Sequence, residues 1–127
     1  MSSIAIDTNI AIDILNGNKE ILDRFEKYSS IYLPVTVCGE LLYGAANSGN
    51  SKKNLTKFRE FILSCTVLNI NSAIAEQYAI TRKKLKEKGS PIPENDIWIA
   101  ATCMVYEISF VTNDKHFENI EGLQLIK

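Results

Sequence analysis

Ile4-Ala5-Ile6-Asp7-Thr8-Asn9 reads as a short buried strand that stops on an acid and turns into a helix. Three consecutive apolar residues suit a strand covered on both faces. Near the other end of the chain, Ile108-Ser109-Phe110-Val111-Thr112 repeats the pattern, and Asp114 follows it. In an open α/β sheet the carboxyl ends of neighbouring strands line one crevice. Two strand-end acids brought to that crevice repel one another and need a cation.

The chain between these ends alternates strands and helices. Further strands are expected at Ile31-Tyr32-Leu33, closed by Pro34, at Thr66-Val67-Leu68-Asn69-Ile70, and from Leu123 to Ile126. Thr8 or Asn9 is expected to cap a helix through Leu15, and Ile21, Leu22, Phe25 and Tyr28 recur at helical spacing. Thr36 is placed to cap a helix to about Asn47. Leu55, Phe58, Phe61 and Ile62 mark the next helix, which forms a helical hairpin with the one before it. Ser72 is expected to cap a long helix that Gly89 stops, and Asn95 or Asp96 to open another ending near Tyr106. This alternation predicts βαβ units: one α/β domain over 1–127, three-layered, with a mainly parallel sheet between helices.

Composition sets the outer bounds. At 127 residues, 46% hydrophobic and 23% charged, the chain suits one globular domain with a real core. A net charge of −1 and a pI of about 5.8 exclude a polycation. Any nucleic-acid binding must come from a local basic patch or from bound metal. Lys52, Lys53, Lys57 and Arg59 form one such cluster and Arg82, Lys83, Lys84, Lys86 and Lys88 another; both read first as solvated helix faces. Cys38, Cys65 and Cys103 are too scattered for a zinc pattern or a disulfide framework. No basic stretch leads into an apolar leader, and no apolar run reaches membrane length, so a cytoplasmic protein with no membrane association is expected.

Four acids carry the chemistry. Asp7 is a cap residue or a ligand projecting into the crevice; neighbouring Thr8 and Asn9 are able to take over the capping. Glu40 lies between Val37 and Gly44 on an apolar helix face, where a carboxylate loses hydration and needs a partner. Asp96 opens a helix, a position the helix dipole favours, yet shares a stripe with Ile99, Ala100 and Cys103. Asp114 follows a strand in good turn chemistry. Thr112, Asn9 and Asn113 are placed to support these acids by hydrogen bonding. An oxygen-only cluster suits Mg²⁺ or Mn²⁺ better than zinc, and such ions promote phosphodiester hydrolysis. His116, the only histidine, reads as a surface or packing residue beside Phe117, and Trp98 and Tyr43 as core or interface aromatics.

Ile6-Asp7-Thr8-Asn9, Glu40-Leu41-Leu42-Tyr43-Gly44, Asp96-Ile97-Trp98-Ile99-Ala100-Ala101 and Val111-Thr112-Asn113-Asp114-Lys115-His116-Phe117, closed by Gly122-Leu123, together resemble the PIN domain. In detail they resemble the VapC-type toxins of bacterial toxin–antitoxin pairs. The resemblance runs the length of the chain, and Trp98, bulky beside the third acid, departs from it. It implies a parallel sheet of about five strands with acids at its carboxyl edge. It implies a catalytic quartet of Asp7, Glu40, Asp96 and Asp114, with Thr112 and Asn9 in support and Asp7, Asp96 and Asp114 as metal ligands. It further implies Mg²⁺- or Mn²⁺-dependent endoribonuclease activity by metal-activated water, homodimers, and a cognate antitoxin that covers the crevice. Two rival readings are a catalytically silent PIN-like module that binds RNA or protein, and an α/β phosphatase or receiver-like domain. The last is disfavoured because Asn9 stands where such phosphatases carry a second acid.

Overall fold

Ile4, Ala5 and Ile6 are fully buried and form β1 (Ile4–Ile6). Their side chains point alternately to opposite faces, so both faces of the sheet are covered there. The structure is a computed structural model and describes residues 3–126. β1 is the middle strand of a five-stranded sheet in the order β3-β2-β1-β4-β5, with β2 at Ile31–Pro34, β3 at Thr66–Leu68, β4 at Ser109–Val111 and β5 at Leu125–Ile126. Every pairing is parallel, and β1 is held in register by Ile4 against Ile31 on one side and Ile4 against Ser109 on the other. The expected α/β architecture, sheet size and strand direction all stand.

The helices are α1 (Thr8–Leu15), α2 (Lys19–Phe25), α3 (Val35–Ala46), α4 (Ser51–Ser64), α5 (Ser72–Glu87) and α6 (Glu94–Val105). A short 3₁₀ helix covers Lys115–Asn119. α3 and α4 form the expected hairpin. α3 is its inner helix, with Val37, Cys38 and Leu41 in the core, and α4 its outer one, which packs Phe58, Phe61 and Ile62 against the core but leaves Leu63 84% exposed. α5 lies along α6 and contributes Ile74, Thr81 and Leu85 to the interior.

The helix starts differ from expectation. Thr36 does not cap α3, and neither Asn95 nor Asp96 caps α6; Pro34 and Pro93 occupy those cap positions, with no side-chain cap bond. Proline's fixed φ, here −54° at both, presets the chain for the first helical turn without a capping group. Ser72 is displaced as a cap by Asn71, whose side chain accepts from the Ile74 amide at 3.0 Å. Gly89 does end α5, at φ +75°, where glycine alone carries no Cβ penalty. No helix among the described residues is long and apolar enough to cross a membrane.

Candidate functional site

From β1 the strand order runs outward to β2 and β3 on one side and to β4 and β5 on the other. The crevice of such a sheet opens beyond the carboxyl ends of the two strands at this switch point. Asp7 follows β1; Thr112 and Asp114 follow β4, its hydrogen-bonded neighbour.

Asp7 is only 7% exposed. Its Oδ1 accepts the Thr8 amide at 2.8 Å and its Oδ2 accepts the Thr112 hydroxyl at 2.6 Å. Asp7 is thus itself the cap of α1, which corrects the expectation that Thr8 or Asn9 would cap and leave it free. The helix begins directly at Thr8, so only Asp7 has the extended backbone that a cap requires (φ −82°, ψ 167°). Thr8, released from capping, donates its hydroxyl to Glu40 Oε1 at 2.5 Å, and Asn95 Nδ2 reaches Glu40 Oε2 at 3.4 Å. These two donors, unassigned from sequence, link α1, α3 and the start of α6 around one carboxylate. Asn9 is exposed, and among the described residues neither its side chain nor that of Asn113 makes a hydrogen bond to an acid.

Asp96, in the first turn of α6, faces the crevice with its side chain 14% exposed. Asp114 caps the 3₁₀ helix by accepting the His116 amide at 2.9 Å, while its own amide donates to Thr112 Oγ1 at 3.0 Å. The His116 ring closes the group, with Nδ1 3.3 Å from Asp96 Oδ2 and 3.1 Å from Asp114 Oδ1. One ligand atom from each of Asp96, Asp114 and His116 lies within 4.8 Å of the others. His116 is exposed, as its reading as a surface or packing residue allows, but its contact with two acids goes beyond that reading. The signal was its position two residues beyond a strand-end acid, where a tight 3₁₀ turn carries it back over that acid.

The electrostatics are those of crowded anions. Burial is the largest influence on Asp7 and pushes its carboxyl above the ordinary value of 3.8; the charges of Glu40 and Asp114 push it further, against the hydrogen bonds from Thr112 and Thr8. Asp96 is likewise raised, first by burial and then by Asp114, Asp7 and Glu40, against its bond with His116. All four acids therefore belong to one field. A set of converging carboxylates that disfavour one another's ionisation fits a divalent cation, which removes that conflict.

The remaining expectations resolve simply. Trp98 stacks on Tyr78 at 3.9 Å between centroids and 12° between planes, so it packs α6 on α5. Tyr43 is 72% exposed, so of the core and interface roles expected for it the core one is excluded. Arg82 is engaged by Tyr78 and Glu94. Cys38 and Cys103 are buried, and burial pushes the Cys38 thiol up to about 11.

The family description of the PIN domain matches residues 4–123. A tRNA(fMet)-specific endonuclease VapC of Salmonella typhimurium is 30% identical over 128 residues, covering 98% of this chain and 97% of the relative. Ribonuclease VapC1 of Haemophilus influenzae strain R2866 is 30% identical over 124 residues, covering 94% and 92%. Among solved structures, a chain of DNA-bound VapBC from Salmonella typhimurium matches with a TM-score of 0.91 at 29% identity, covering 99% of this chain and 98% of that one. A family match over nearly the whole sequence, on a five-stranded parallel sheet with acids at its switch point, makes this chain a member of the PIN domain family.

Proposed function

We propose that this chain is a metal-dependent endoribonuclease, the toxin of a toxin–antitoxin pair, and that it hydrolyses RNA phosphodiester bonds in the crevice beyond β1 and β4. The observation that carries the reading is geometric: at the switch point Thr112 bonds both Asp7 and the Asp114 amide, the Asp96, Asp114 and His116 ligand atoms lie within 4.8 Å of one another, and Thr8 ties Glu40 to the residue after Asp7. Relatives of similar length named as ribonucleases and endonucleases support the activity, and the VapBC complexes among the matched structures support an antitoxin partner. A homodimer follows from the family resemblance, and an RNA substrate supports a cytoplasmic place of work.

In this reading Asp7, Asp96 and Asp114 hold Mg²⁺ or Mn²⁺, and Glu40 completes the set. The bound ion supplies charge neutralisation at the scissile phosphate and lowers the pKa of a water. Thr112 and Thr8 hold the carboxylates of Asp7 and Glu40 in fixed orientations, each oxygen keeping a further lone pair for a ligand. Glu40 Oε2, held only by a long contact with Asn95 at 3.4 Å, would accept a proton from the attacking water in this reading. No side-chain nucleophile is needed.

The test is cleavage of a bulk tRNA substrate by the purified chain in Mn²⁺ or Mg²⁺, with and without EDTA. Wild type cuts and EDTA stops it; Asp96→Asn cuts at least about 100-fold more slowly. Equal cutting by wild type and Asp96→Asn would overturn the assignment.

A further inference from the structure

We infer that His116 supplies a nitrogen ligand to the cation beside Asp96 and Asp114, and that this donor biases the centre toward Mn²⁺ over Mg²⁺. The inference rests on the reading of the acid cluster as a metal site, and it extends the donor set beyond the oxygens.

The argument is one of ligand spacing. Two donors bound side by side to an octahedral ion at about 2.1 Å stand about 3.0 Å apart, and on a tetrahedral ion about 3.4 Å apart. His116 Nδ1 lies 3.1 Å from Asp114 Oδ1 and 3.3 Å from Asp96 Oδ2, both within that interval. Without an ion these are also hydrogen-bond distances, but a ring nitrogen carries one proton at most and serves one carboxylate well, whereas here a single Nδ1 faces oxygens of two acids at once. The ring's position is also prepared by the fold. Asp114 Oδ1 takes the His116 amide, and the next residue, Phe117, is fully buried with its ring 4.9 Å from that of Phe110 in an edge-to-face contact. Phe117 and the Asp114 cap hold the backbone on both sides of His116, while its side chain remains 51% exposed toward the open crevice. Imidazole suits transition ions, whereas Mg²⁺ takes oxygen donors almost exclusively.

The test is pulsed electron paramagnetic resonance of the full chain loaded with Mn²⁺, paired with Mn²⁺ and Mg²⁺ titrations of wild type, His116→Ala, His116→Gln and Asp96→Asn. Wild type is expected to show ¹⁴N hyperfine coupling from a directly bound imidazole. Both His116 variants lose that coupling and bind Mn²⁺ roughly 10–100-fold more weakly, with Mg²⁺ affinity changed less than about threefold. If Mn²⁺ binds wild type in an Asp96-dependent way without ¹⁴N coupling, His116 is only an ion-pair partner: this inference fails and the metal-site reading survives. If Mn²⁺ binds wild type and Asp96→Asn alike, both fail. The wild-type spectrum decides the matter even if a variant does not fold.

Discussion

Thr112 Oγ1 donates to Asp7 Oδ2 at 2.6 Å, tying the end of β4 to the end of β1 across 105 residues of chain. The same hydroxyl accepts the Asp114 amide, so one threonine sets the spacing between two acids. Thr112→Val keeps the shape and removes the donor, leaving a buried carboxylate oxygen unpaired. We expect a loss of about 1–3 kcal/mol in urea denaturation of the metal-free protein, with Thr112→Ser restoring most of it. A valine variant as stable as wild type would show the bond to be idle.

Asp7 and Asp96 both titrate above 3.8 in the folded chain, chiefly through burial. Between the unfolded value and those raised values the native state binds more protons than the unfolded state. Stability is therefore fully present below 3.8 and is lost as pH rises through the raised values. In EDTA, wild type is expected to lose stability over that window and Asp7→Asn to lose less. At neutral pH the variant melts higher than metal-free wild type, while the gain in Tm that Mn²⁺ gives wild type shrinks in it. Parallel pH profiles would contradict this account.

Glu40 is held by the hydroxyl that Thr8 no longer spends on capping. Thr8→Val should leave global stability within about 1 kcal/mol, since the bond lies at the site's edge. Calorimetric titration with Mn²⁺ should nonetheless show about 10–100-fold weaker binding, the scale on which orienting partners act. Unchanged affinity would mean that Glu40 stands outside the ligand set.

The stack of Trp98 on Tyr78 joins α6 to α5 on a half-buried surface. Trp98→Ala is expected to cost about 1–3 kcal/mol by thermal denaturation, and Trp98→Phe distinctly less. Neither change should shift Mn²⁺ affinity more than about twofold, because Trp98 lies outside the acid group. A large change in affinity would place this side chain in the site.

At the end of α6, Glu107 adopts φ +53° so that the Ile108 amide reaches Cys103 O at 3.0 Å. This turn favours glycine. Glu107→Gly should raise stability by about 0.5–1 kcal/mol in chemical denaturation, and a destabilised variant would show that the glutamate makes a compensating contact.

The relation between sequence and site is uneven. Strand-end acids were readable because β1 and β4 are pure apolar runs whose stops are plain, as at Ile6-Asp7 and Val111-Thr112. Near Ser72 and Asn95 residues of similar capping propensity stand side by side, whereas at Thr36 the helix starts a residue earlier, at Val35, and takes Thr36 into its first turn. Backbone conformation at Pro34, Asn71 and Pro93 decided among them. Propensity ranks residue types but does not choose between adjacent candidates.

The order of elements, the parallel sheet and the placing of Asp7 and Asp114 at strand ends were legible in the chain alone, because hydrophobic periodicity and turn chemistry are local quantities that survive without a partner. Which groups touch the acids was decided only on folding. Thr8 on Glu40, Thr112 on Asp7 and the His116 ring over Asp96 and Asp114 join residues up to 105 positions apart. Such contacts depend on strand register and helix rotation to within an ångström, and no local pattern in a sequence carries that information.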